Sequence, residues 1–186
     1  KLGVTNLPSL MVGDSRQTLP KFFADPMSPA QFDLIFIARN SLLHLLSTMD
    51  LVAAFSAVRR HLASEGVFAF DIFNPDPKRL GRPDGQRFPV MEVHTERFGL
   101  LTVEETNNYD PATQVKRATW YISTPDKRDA WIVPLVLRSI FPDELPELLA
   151  AAGLELVSRF GELSRSPFGR GSRVQVCLCR RAANGK

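Results

Sequence analysis

The chain has 186 residues, 44% of them hydrophobic and 23% charged, which is enough for one good core and reads as an ordinary globular protein. Its net charge is +3, with 23 basic residues scattered among 20 acidic ones; a nucleic-acid backbone calls for a concentrated stripe, so nucleic acid is not an expected partner. No stretch reaches the roughly 18 to 20 apolar residues that cross a bilayer, and the opening KLGVTNLPSL lacks the charged-then-apolar order of a signal peptide, so we expect a cytoplasmic protein with no membrane partner.

Pro8 to Val12 predicts a short buried strand ended by Gly13-Asp14, and Phe32 to Ile37 the next, with Pro20, Pro26 and Pro29 in the polar connection. Leu34-Ile35-Phe36-Ile37 shows no in/out alternation, so both faces of that strand are expected to be covered, as in parallel sheets. A polar cluster of Arg39, Asn40, Ser41 and His44 follows at its carboxyl end, the end where such sheets bind ligands. Ser47-Thr48-Met49-Asp50 has capping-box spacing, with Asp50 in place of Glu or Gln. Leu51, Phe55, Val58 and Leu62 then recur at helical spacing, and Glu65-Gly66 predicts the stop before a strand from Val67 to Phe73. Strand, helix, strand over about 40 residues is a right-handed βαβ unit.

The grammar changes after Asn74-Pro75-Asp76-Pro77. Three or four alternating segments, roughly Val90 to Arg97, Leu100 to Tyr109, Gln114 to Ser123 and Ala130 to Ile140, predict an antiparallel sheet wet on one face, with turns at Asp110-Pro111-Ala112-Thr113 and Pro125-Asp126-Lys127-Arg128. Pro134 marks an edge or bulge. The chain then returns to α/β patterning: Pro142 at a helix start, Leu145, Leu148, Leu149 and Ala152 on one face, Pro146 as a blemish, and Gly153 as terminator. A strand from Leu154 to Phe160 and a last one from Arg173 to Cys179 are expected to form a hairpin. Cys177 and Cys179 share one strand face and cannot supply a four-ligand metal site, so we expect small core residues and no metal.

Five stretches in this order, "GDSR", "FDLIFIARNSLLHLL", "AVRRHLASEGVFAFDIFNP", "FPDELPELLAAAGLELV" and "SPFGRGSRVQVCLCR", resemble the carboxyl-terminal two-thirds of a class I S-adenosylmethionine-dependent methyltransferase of the small-molecule type. The resemblance implies an α/β fold with a partial Rossmann-like methyltransferase sheet, mostly parallel and closed by a C-terminal β-hairpin, and an inserted antiparallel β-sheet. Residues 1–76 and 141–186 would form the core, and residues 77–140 the insert, a lid over the substrate. The family's glycine-rich loop and ribose-gripping acid would lie before Lys1; we therefore expect a truncated sequence, inactive by itself.

The resemblance also implies roles. The cofactor is S-adenosyl-L-methionine. Asp14 would accept from the adenine amino group, the backbone around Ser15 and Arg16 would meet the ring edge, and Ala38, Arg39 and Asn40 would line the methionine side. His44 and Asn40 become the catalytic candidates beside a small-molecule methyl acceptor. Asp71 and Asn74 would close the site, with His94, Trp120, Tyr121 and Trp131 of the lid as substrate contacts. Methyl transfer from a sulfonium is an in-line displacement, so alignment and water exclusion are the main tasks; for an amine acceptor an imidazole suffices as general base.

Each residue also has a plainer structural reading. Asp14 would cap its turn, His44 would be a structural side chain, Asp71 would anchor the loop through backbone N–H groups, and the aromatic residues would pack the sheet. Ser41 and His44 without an orienting acid are weak evidence for hydrolysis. The alternative function is a non-catalytic binding or assembly protein on a degenerate methyltransferase fold, and an exposed strand edge would favour a homo-oligomer.

Overall fold

The computed structural model describes residues 31–183; the expected Pro8–Val12 strand and the candidates Asp14, Ser15 and Arg16 lie outside them. Strand β1 (Phe32–Ile37) runs parallel to β2 (Leu62–Phe73), with Ile35 opposite Phe68 and Ile37 opposite Phe70. Helix α1 (Thr48–His61) makes the crossover. Its first turn is held by Ser47, whose hydroxyl oxygen accepts from the Asp50 N–H at 3.0 Å while the hydroxyl donates to the Asp50 carboxylate at 2.6 Å. The expected capping residues are therefore used, with the acid turned to the hydroxyl.

Leu51, Phe55 and Val58 put one face of α1 into the core, where the Phe55, Phe68 and Phe70 rings meet at centroid distances of 5.1 to 6.1 Å. The helix ends at His61 and β2 begins at once, so Glu65-Gly66 is not the expected turn. Gly66 serves a close approach. A Cβ there would stand 2.9 Å from the Phe32 carbonyl oxygen and 2.9 Å from Leu62 Cδ1, beside the register shift between Phe32 and Leu34.

The first sheet has the order β1-β2-β8-β7, where β7 is Leu154–Phe160 and β8 is Val174–Arg181. The hairpin is as expected, but the sheet is mixed rather than mostly parallel: β1 and β2 are parallel, while β8 is antiparallel to both β2 and β7. Two of the four strands form one hairpin across residues 161–173, a connection with no helix to carry the chain back over the sheet for a parallel pairing. The expectation that both faces of β1 are covered also fails among the described residues. Ile35 and Ile37 pack on the core, whereas Leu34 and Phe36 are 58% and 69% exposed.

Helix α3 (Leu145–Ala151) starts three residues later than the Pro142 expectation. Pro146 falls in its first turn, where a missing N–H costs nothing, so it is no blemish. Gly153, at φ 72°, ends the helix as expected.

Between the two halves, the short helix α2 (Pro77–Leu80) is capped by Asp76. The strands β3 (Phe88–Thr95), β4 (Gly99–Asp110), β5 (Val115–Ser123) and β6 (Trp131–Arg138) form the antiparallel sheet β3-β4-β5-β6. Pro134 lies on edge strand β6, as its missing donor requires. No helix among the described residues is long and apolar enough to cross a membrane.

Candidate functional site

The carboxyl ends of β1 and β2 lie side by side, and both strand tails carry polar groups. Arg39 and Asn40 are consecutive non-glycine residues in the left-handed region, at φ 56° and 63°. Such conformations cost of order 1–3 kcal/mol each and persist only where surroundings over-determine them. Here three cross-strand hydrogen bonds do so. The Arg39 N–H donates to Asp71 Oδ1 at 2.9 Å, the Asn40 N–H to the Asp71 carbonyl at 3.2 Å, and the Phe73 N–H to Asn40 Oδ1 at 2.6 Å. The Ser41 hydroxyl closes the turn onto the Ala38 carbonyl at 2.7 Å.

The predicted residues of this cluster are thus brought together, with roles that divide. Asp71 is turned toward the β1 loop and anchors it, its plainer reading. Asn40 couples the two strand ends. Ala38 and Arg39 are exposed at the lip, and the Arg39 guanidinium has no hydrogen bond or ion pair among the described residues. A one-turn 3-10 helix, Ser41–His44, follows; buried Leu42 and Leu43 fasten it and leave His44 exposed just beyond the strand end. Asn74 is fixed by its N–H to the Arg173 carbonyl and its side-chain amide to the Ser172 carbonyl, both at 2.9 Å. Its Oδ1 is buried without a partner.

The lid candidates do not converge. Strand register places Trp120 opposite Glu105 and Tyr121 opposite Glu104, so the two neighbours point to opposite faces. By the same alternation Trp131 shares the Trp120 face, while His94 falls on the Tyr121 face. The Trp120 indole N–H donates to Glu105 Oε2 at 2.7 Å. Tyr121 lies under the Arg87 guanidinium at 3.5 Å from its ring centroid, and Trp131 meets Phe98 edge-on. His94 is exposed.

Sequence reasoning missed what holds this sheet. Glu105 is buried, 7% exposed, and takes Lys116 on its other oxygen. Asn107 on the same face donates to the Arg79 carbonyl of α2 at 2.9 Å. The signal was present, since Glu105 and Asn107 share the parity of buried Val103. Arg138, 6% exposed, donates to Thr48 Oγ1 at 3.0 Å, Gln114 Oε1 at 3.1 Å and Glu144 Oε2 at 3.3 Å, joining β6 to α1 and to the turn before α3. Only the fold could reveal that convergence.

Two charge effects lie off the crevice. The bidentate hydrogen bond from Arg87 holds the Asp129 carboxyl below its usual range. Burial pushes the Cys177 thiol up to about 12 and raises Cys179 as well. Both cysteines are free and buried, as expected. The described residues contain no group of three or more His, Cys, Asp or Glu placed to hold a metal.

No protein-family model matches the chain, and no curated protein does. Solved structures do. The methyltransferase CcbJ from Streptomyces caelestis is 26% identical, with a TM-score of 0.71 over 84% of this chain and 63% of that one. An S-adenosylmethionine-dependent methyltransferase from Clostridium acetobutylicum is 16% identical, at TM-score 0.64 over 87% of this chain and 63% of that one. CalS10, an amino pentose methyltransferase from Micromonospora echinaspora solved with S-adenosylmethionine bound, is 20% identical, at TM-score 0.61 over 91% of this chain and 63% of that one. The chain therefore spans 63% of the length of each.

Proposed function

From the premise that this chain has the fold of the class I S-adenosylmethionine-dependent methyltransferases, we propose that the protein transfers a methyl group from S-adenosylmethionine to a small-molecule acceptor. The observation that carries the proposal is the left-handed Arg39-Asn40 turn, locked to Asp71 and Phe73 where two parallel strands end. Strained backbone held by several bonds at the carboxyl edge of an α/β sheet is the mark of a ligand crevice.

The donor set of this turn fits the methionine end of the cofactor. The exposed Arg39 guanidinium suits its carboxylate, and backbone carbonyl groups at the lip suit its ammonium. When bound, the cofactor supplies an electrophilic methyl group on a sulfonium. The chain's own tasks are to hold the acceptor in line at about 3 Å and to exclude water. Asn74, held through its side-chain amide by the Ser172 carbonyl at the adjacent strand end, is the residue we place on the acceptor side of the site. His44 at the rim is the proton acceptor we assign for an amine substrate.

The β3–β6 sheet is the lid in this reading, supported by Arg138, which ties its last strand to α1. Free, buried Cys177 and Cys179 suit the reducing cytoplasm. The competing reading, a binding or assembly protein on the same fold, predicts retained structure with no transfer.

Calorimetric titration of S-adenosylhomocysteine into the natural full-length protein, paired with a labelled-methyl assay on small amines and alcohols, separates the two. We expect binding that weakens about tenfold in Arg39→Ala through loss of a charge-assisted hydrogen bond. Absence of binding by the wild-type protein would overturn the proposal, and binding without transfer to any acceptor would favour the alternative.

A further inference from the structure

A polar cleft lies far from the carboxyl ends of β1 and β2. The last turn of α1 contributes Arg59 and Arg60, the end of β8 contributes Arg181, and Ala152-Gly153 at the end of α3 form the floor, with Ser56 beside them; together they line an open cleft of about 490 Å³. Helix α1 has 14 residues, and at 1.5 Å per residue it separates the cleft from the His44 end by about 20 Å. Strand β8 confirms the opposition, since Val174 pairs with Phe73 beside the crevice and Arg181 lies at its other end.

Arg59 is held in place, and none of the three arginines is neutralised. Arg59 lies against Gly153 so closely that a Cβ there would stand 2.5 Å from its Nε, and the Ala182 N–H to the Gly153 carbonyl, 2.9 Å, fixes the end of β8 to the same turn. The neighbouring Arg180 is different. It pairs with Glu155, whereas Arg59, Arg60 and Arg181 have neither an ion pair nor a side-chain hydrogen bond among the described residues. Two helix carboxyl ends face this region, each worth about half a negative charge at most. They offset roughly one of three positive charges, which leaves about two.

We propose that this cleft binds the phosphate group of a small phosphomonoester. Guanidinium forks match phosphate oxygens bidentately, a phosphomonoester carries about −1.5 to −2 at neutral pH, and the volume falls within the roughly 300–1,000 Å³ of small-molecule sites. A nucleic-acid backbone suits the site less well, because its phosphodiesters need an extended basic track. The site is independent of the methyl-transfer crevice.

The test is titration of the protein with ribose 5-phosphate, inorganic phosphate and a single-stranded oligonucleotide at about 0.15 M salt, where exposed charges are screened. We expect saturable one-site binding of ribose 5-phosphate, with weaker binding of inorganic phosphate. The Arg59→Gln, Arg181→Gln double variant should lose roughly tenfold or more in affinity, as expected when bidentate charged contacts are removed, with an unchanged circular dichroism spectrum. Equal binding of the two phosphates would still support the site and identify free phosphate as its ligand. If the double variant fails to fold, Arg60→Gln, an exposed position, gives the same readout with a several-fold loss. No saturable binding of either phosphate, equal binding by wild type and variant, or preference for the oligonucleotide would each overturn the proposal.

Discussion

The two sheets of this protein are built by different physics. The β1-β2-β8-β7 sheet is held by apolar packing: Leu51, Phe55, Leu62, Phe68, Ile72, Leu145 and Leu149 are almost wholly buried in one cluster. The β3–β6 sheet buries few large apolar side chains and leaves Met91, Val93, Leu100, Trp131, Ile132 and Val136 exposed. Its buried positions include Glu105, Asn107 and Arg138, each hydrogen-bonded across strands or to another element. Apolar packing is non-directional and large in sum, so it makes a scaffold. Directional polar contacts are smaller and specify one docking geometry. That division gives one sheet a large non-directional core and the other a small set of directional polar ties.

The contrast is broken most severely in the core. Phe68→Ala removes a fully buried ring that touches Phe55 and Phe70, and we expect a loss of about 3–5 kcal/mol, read as a lowered urea midpoint. Arg138→Met comes next. It abandons Glu144, Gln114 and Thr48 at the junction of the two sheets; because Glu144 retains some access to water, the expected loss is about 2–3 kcal/mol. Faster proteolysis between β5 and β6 than within the core would show that the junction had loosened.

Within the β3–β6 sheet, Glu105→Ala leaves Lys116 and the Trp120 indole unpaired, for about 1–2 kcal/mol. A shift in tryptophan emission at unchanged far-ultraviolet dichroism is the sensitive readout; an unshifted spectrum would mean that Glu105 does not orient Trp120.

The smallest effect at ordinary pH belongs to the cysteines. Below about pH 9 the Cys177 thiol is protonated in both the folded and the unfolded chain. Burial raises its folded value to about 12 from an ordinary 9.0, so between those limits the unfolded chain ionises first and stability falls as pH rises. Thiol reagents should leave both cysteines unmodified in the native protein at pH 8 and label them on unfolding. Rapid native labelling would contradict their burial.

How much of this was legible depended on the range of the interaction. The parallel β1–β2 pair, the Ser47 cap, the Gly153 terminator, the edge position of Pro134 and the C-terminal hairpin were all readable, since each rests on periodicity or on a backbone preference within a few residues. The Gly66 and Pro142 expectations failed because a glycine or proline reports a conformational allowance without saying which neighbour uses it. Gly66 makes room for the Phe32 carbonyl, and Pro142 precedes a helix that begins at Leu145.

At the candidate site, the polar cluster after β1 was visible as residue types, but the pairing of Asp71 with the Arg39 and Asn40 amides was not. The sequence by itself determined the order and type of the main strands and helices, though not all their ends, and that polar groups gather at two strand ends, because those follow from local sterics and burial patterns. Only the tertiary structure decided which polar groups remain available for a ligand, as with the exposed Arg39 guanidinium and the arginines of the distant cleft. That availability is a difference between a side chain's hydrogen-bonding capacity and the partners that folding brings to it from far along the chain.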